Sequence, residues 1–183
     1  MTVKEVVLLA AEELRIAAEV KAYWDGTNLN GEEKARLLLT CFNMVENELA
    51  LDYLPLTSEE KLSSSTGQIQ FVQLKNAPVR ILQVKNAKGE LLDFKLYAKY
   101  LQTEKGNVWI SYTYTPESKD INDNSAFGAQ ISARLMVYGI AAEYSMAMGE
   151  FTEASLWDKK YKDAIEATYQ RQSGGKIPSR RWV

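Results

Sequence analysis

The residue types that most often carry chemistry are thin in this chain of 183 residues. It has no histidine, which removes the commonest general base and the commonest metal ligand. A serine or cysteine nucleophile activated by an imidazole therefore cannot be assembled. Cys41 is the only cysteine, so no internal disulfide forms, and the usual Cys/His zinc sets are excluded. Its setting, Leu37-Leu38-Leu39-Thr40-Cys41-Phe42, is that of a small buried hydrophobe rather than a reactive thiol. Asp120, Asn122 and Asn124 open like a calcium loop, but Ser125 stands where glycine is needed and Ile131 where a bidentate glutamate is needed. That stretch reads instead as a solvated turn and helix N-cap. Gly174-Gly175-Lys176 fails as a phosphate loop, because Gln170 replaces the first glycine and Ile177 the final Ser or Thr. Glu12-Glu13, Glu32-Glu33 and Glu59-Glu60 are adjacent pairs whose side chains point apart on a helix, so they read as surface charges near helix starts. The chain is expected to be no enzyme and to hold no metal or cofactor.

Residues suited to binding are easier to find. Tyr97, Tyr100, Trp109, Tyr112 and Tyr114 could stack sugars or bases, although aromatic side chains also fill sheet faces routinely. Arg134 is the only charge between Asn124 and Ala142. It either snorkels to the surface or pairs with an acid on a neighbouring subunit. Near the C-terminus a Gly-Gly hinge leads to Lys176, Ile177, Pro178, Arg180, Arg181 and Trp182. Chain ends commonly fray. Arginine and tryptophan, however, are the residue types most enriched at binding hot spots, and the composition favours docking onto a partner.

Bulk composition fits one globular domain over 1–183, with 46% apolar and 25% charged residues. A net charge of −2 argues against a generic nucleic-acid binder. The charge is uneven, −7 over residues 1–60 and +5 over 61–115. The two regions are either ordinary solvated faces or partners for one another, within a fold or between copies. Met1–Ala22 mixes charges into its apolar residues, so no secretory leader is expected, nor is a membrane span. The protein is expected to be made and kept in a cytoplasm.

These residues need elements to hold them. Thr2 and Glu5 have capping-box spacing, and Val6, Leu9, Glu13, Ile16 and Val20 predict a helix over 3–22. Asn30 with Glu33 marks a second helix over 32–53, with Leu38, Phe42, Val45, Leu49 and Tyr53 on one face and Pro55 ending it. Residues 1–55 thus form a helical pair. Leu56–Gly67, with Ser63-Ser64-Ser65, reads as a mobile loop. The period then falls to two. Residues 68–115 predict one antiparallel β insertion of four or five strands, with turns at Asn86–Gly89 and Glu104–Asn107. A second helical pair covers 126–171: a nearly all-apolar helix over 126–148, about 35 Å long, Gly149 at C′, and a helix over 151–171. Residues 174–183 form an extended C-terminal tail. The fold class is α+β, a mainly helical body with a small antiparallel sheet inserted.

This order of parts, with the stretches Leu37–Pro55, Trp109–Pro116, Tyr138–Lys160 and Lys176–Val183, resembles bacteriophage head–tail adaptor, or connector, proteins. The resemblance implies a virion protein made in the host cytoplasm. It implies a ring, usually of twelve copies, docked on the portal protein and joined to the next tail or neck component. DNA would pass through the lumen, and no membrane is involved. Lys176, Ile177, Pro178, Arg180, Arg181 and Trp182 would contact the portal or a neighbouring subunit, and Arg134 is a possible intersubunit residue. The alternative is a non-catalytic module binding a small ligand or glycan on its aromatic sheet.

Overall fold

A computed structural model describes residues 1–128 and 131–173. The chain is α+β, and its contacts group it into two compact units, 1–46 with 118 onward, and 47–117. Helix α1 (Val3–Glu13) starts on the Thr2/Glu5 capping box that its sequence predicts. It does not continue to residue 22. Arg15 takes a left-handed φ of 60°, and the chain restarts as α2 (Ala17–Trp24). No glycine or proline marks that break, so periodicity alone runs through it.

Helix α3 spans Glu32–Glu48 and then widens into a π-helical turn, Leu49–Tyr53. Its approach is capped by Asn28, whose Oδ1 accepts from the Asn30 amide at 2.9 Å, rather than by Asn30. Helix α4 (Ala133–Ala147) begins later than expected, capped by Ser132. At about 1.5 Å per residue its fifteen residues span about 22 Å rather than 35. Residues 125–128 take a non-helical path. The buried carboxylate of Glu46 accepts from Ser125 Oγ and from the Ala126 amide, both at 2.8 Å. The same segment bonds to the start of α1, Val3 N to Asp123 O at 2.9 Å and Ser125 N to Met1 O at 3.1 Å. Gly149, with φ 79°, ends α4 as its sequence predicts, and α5 runs Phe151–Ser173.

The core of this unit is built from one face of each helix: Val6, Val7 and Ala10 of α1, Leu38 and Phe42 of α3, Met136 and Ile140 of α4, and Tyr161 and Ile165 of α5. At about 25 cal/mol per Å2, each of the larger buried side chains contributes roughly 1.5–3 kcal/mol.

The β unit holds two three-stranded sheets rather than one sheet. The first has the order β1 (Leu56–Ser64), β6 (Gly106–Tyr114), β3 (Pro78–Asn86), all antiparallel. The second has the order β2 (Gln68–Gln70), β5 (Tyr100–Gln102), β4 (Lys95–Leu96). Strand β1 corrects the expected loop at 56–67. Its inward positions include Ser58, Glu60 and Ser64, so the alternation carries no hydrophobic signal. Those polar groups are satisfied locally: Ser64 Oγ donates to Gln68 O at 2.7 Å, and Glu60 takes the Tyr112 hydroxyl and the Lys75 amide. The Asn86–Gly89 turn forms as predicted, with Gly89 at φ 85° and its amide donating to Asn86 O at 3.0 Å. Ile69, Leu101, Val84, Val108, Ile110 and Tyr112 share one core between the sheets.

Candidate functional site

Cys41 lies in α3, 2% exposed. Burial first, and then the Glu143 carboxylate, push its thiol up to about 12. It stays protonated at neutral pH, as its apolar setting predicts. The paired acids do not converge. Glu12 binds Lys21 at 2.8 Å and Glu32 binds Arg36 at 2.6 Å. Glu59 and Glu60 sit on β1, not near a helix start, and the pleat sends them to opposite faces. Glu59 accepts from Ser111 Oγ at 2.9 Å, while Glu60 binds Tyr112 and Lys75. Residues 120–124 form a turn, closed by Asp123 N to Asp120 O at 3.0 Å, and pair with the chain start rather than capping a helix. Among the described residues no three His, Cys, Asp or Glu side chains gather as metal ligands would.

The five aromatic residues of the sheets do not form a single platform. Tyr112 is fully buried, and burial first, then its hydrogen bond to Glu60, push its hydroxyl above the ordinary range. Tyr114 packs against the same core, 6.4 Å from Tyr112 ring to ring. Tyr97 and Tyr100 stack on each other at 4.6 Å beside the second sheet. Trp109 faces the other way, 39% exposed, with Lys61 and Lys85 opposite it on the flanking strands.

Arg134 is exposed on α4 and has a partner within its own helix, Tyr138, whose hydroxyl accepts from Nε and whose ring lies 5.4 Å from the guanidinium. Tyr138 meets Trp157 of α5 at 5.8 Å, and Lys160 sits 3.9 Å over the Trp157 ring. The result is a cation–aromatic ladder across the α4–α5 hairpin, each rung contributing roughly 0.5–1 kcal/mol at such exposure. Lys176, Ile177, Pro178, Arg180, Arg181 and Trp182 lie outside the described residues.

Two surfaces were not visible in the sequence. At the α4–α5 corner Met146, Met148, Phe151 and Leu156 are 53%, 51%, 65% and 61% exposed. Met146 falls off the buried stripe of α4 and Met148 is its C-cap residue. The second surface is a groove between α1 and α4, made of two adjoining hollows of about 570 and 670 Å3 that share Leu9, Glu12 and Ala133. Among the described residues no helix is long and apolar enough to cross a membrane. No known protein family matches the chain, and no characterised protein matches it either.

Proposed function

We propose that this chain is a structural subunit that works by binding other protein copies: a ring-forming head–tail adaptor that docks on a portal ring and joins it to the tail, with DNA passing through the ring. The observation that carries this reading is the α4–α5 corner, where four large apolar side chains stand more than half exposed within eleven residues of chain. Single exposed apolar residues are ordinary, but Met and Phe are enriched at protein interfaces, and Met148 and Leu156 line one hollow at this corner. The cation–aromatic ladder of Arg134, Tyr138, Trp157 and Lys160 lies on the same hairpin and supplies the residue types found at hot spots. The α+β order of parts supports the resemblance already drawn, and the Arg180-Arg181-Trp182 segment suits the portal contact.

The test is co-sedimentation of the full chain with portal-bearing heads. The unaltered protein should travel with the heads, and Met148→Glu combined with Phe151→Glu should remain in the supernatant with an unchanged circular dichroism spectrum. A doubly charged corner that still co-sediments would overturn the assignment of that surface. Failure of the unaltered chain to bind any portal would overturn the adaptor reading itself.

A further inference from the structure

The link between α1 and α2 is a helix end built without helix-ending residues. The amides of Arg15 and Ile16 donate to Glu12 O at 3.1 Å and to Ala11 O at 2.9 Å, the two bonds of a Schellman motif. Glycine usually holds the left-handed position of that motif. Here Arg15 holds it, and among the described residues no other residue except glycine has a positive φ. On the far side Ile16 is the N-cap of α2, no side chain caps that helix, and isoleucine is among the poorest residues for the position. Nothing in Glu13-Leu14-Arg15-Ile16-Ala17-Ala18-Glu19 breaks a helix. Local preference therefore favours one helix over 3–24.

Tertiary contacts hold the bend. Helix α2 folds back along α1, with Lys21 Nζ 2.8 Å from Glu12 and Lys4 Nζ 5.6 Å from the Trp24 ring. Neither contact survives in a continuous helix, where residues 12 and 21 lie on opposite faces and residues 4 and 24 are about 30 Å apart. Val20 is fully buried, and Lys34 binds Glu19 at 2.6 Å. Gly31 admits the Glu19 carbonyl so closely that a Cβ there would lie 2.2 Å from its oxygen. A straight form has substitutes for the two ion pairs. Arg15, in no ion pair among the described residues, would stand three residues after Glu12 and four before Glu19, within reach of both. It also has a place to lie. Helices α1 and α4 run parallel, because Met1 and Leu8 share one hollow with Ile131 while Arg15 shares another with Val137. Farther along α4 a hollow of about 550 Å3 opens beside Leu14, Arg15 and Ile16, lined also by Tyr144, Met148 and Leu156.

We infer that α1 and α2 are one two-state element, a helical hairpin that opens into a single helix over 3–24. In opening, Glu12 and Glu19 exchange Lys21 and Lys34 for Arg15, and α2 leaves Gly31 and continues over the hollow at Met148 and Leu156. The switch itself goes beyond the adaptor reading. Only its consequence, that the open form covers part of the α4–α5 corner, rests on that reading.

Spin labels on Lys4→Cys and Asp25→Cys of the full chain test it. The hairpin brings the labelled positions together, and the single helix sets their Cα atoms about 31 Å apart. Cys41 is buried and does not compete. Gly31→Ala puts a methyl against the Glu19 carbonyl in the hairpin alone, and should make about 31 Å the major distance. Adding Arg15→Gly should cut the long-to-short ratio at least roughly tenfold, because glycine is at ease at φ 60° and weakens a helix interior. Lys21→Ala with Lys34→Ala leaves the core intact and should raise the long-distance fraction by roughly twofold or more. A short distance kept by Gly31→Ala, a broad distribution with reduced helicity by circular dichroism, or a long distance found only in dimers would overturn the inference. So would a ratio indifferent to Arg15→Gly, or a long-distance fraction unchanged by removing both lysines. None of these outcomes depends on whether a portal is bound.

Discussion

Gly139 offers the sharpest quantitative test of the helical packing. It is buried midway along α4, between α3 and α5. A Cβ built there would sit 2.8 Å and 3.0 Å from the two methyl carbons of Val45 and 3.0 Å from Cε2 of Tyr161. In an open helix, replacing glycine by alanine stabilises by about 1 kcal/mol. Here the methyl has no space. Val45 is β-branched and stiff at χ1. Tyr161 is 3% exposed, so its ring has little room to move aside. Overpacking of this kind costs typically 1–3 kcal/mol. The overpacking exceeds the propensity gain, and Gly139→Ala should lose roughly 1 kcal/mol, read as a lower urea midpoint at unchanged slope. The cause can be isolated. In a Val45→Ala background both Val45 contacts vanish and only the 3.0 Å approach of Tyr161 Cε2 is left, so Gly139→Ala should cost clearly less than in the unaltered chain or become neutral. Gly139→Ala stabilising the unaltered chain, or costing the same in both backgrounds, would refute the reasoning.

Glu46→Ala leaves Ser125 Oγ and the Ala126 amide without their acceptor and should cost roughly 2–4 kcal/mol, whereas Glu46→Gln keeps an acceptor and should cost clearly less, both measured by denaturant unfolding. Cys41 should resist thiol reagents at pH 8 in the native state and react once the protein is unfolded. The sign of its pH effect is fixed. With the folded thiol pushed up to about 12, its contribution is intact below the unfolded value, near 8.5, and is lost between there and 12 at about 1.4 kcal/mol per pH unit; Cys41→Ala should flatten that alkaline decline. Arg15→Gly should stabilise by up to about 1 kcal/mol, because φ 60° costs an arginine and not a glycine; a lower unfolding midpoint would contradict this. Trp109→Ala should leave portal co-sedimentation unchanged, and a loss there would move the binding surface to the sheet.

What the sequence made legible, and what it hid, divides along physical lines. Signals written in one residue's own chemistry came through: the Thr2/Glu5 box, Gly89 and Gly149 at positive φ, and the alternation of β6. Features that depend on a distant partner did not. Strand β1 hides because its inward serines and Glu60 are satisfied by Gln68, Tyr112 and Lys75 rather than by burial of apolar atoms. The late start of α4 hides because Glu46, 79 residues before Ser125 in sequence, holds Ser125 and Ala126 out of a helix. The break at Arg15 carries no local mark at all. Spacing cannot show that Tyr100, with Tyr97 stacked on it, belongs to a different sheet from Trp109. The binding surfaces were the least visible part. Exposure at Met146, Met148 and Phe151 depends on which faces the α4–α5 hairpin turns toward the core, and the α1–α4 groove is set by which faces of two helices separated by more than a hundred residues come together.

Native mass measurement of the chain mixed with a purified portal ring asks whether the chain binds protein copies in a ring, as proposed. A discrete complex should form that is heavier than the portal by a whole number of 20.7 kDa chains, with twelve as the expected count, and none when Met148 and Phe151 are both changed to glutamate. A chain that remains a monomer beside every portal offered, while binding a small ligand saturably through Trp109, would contradict it.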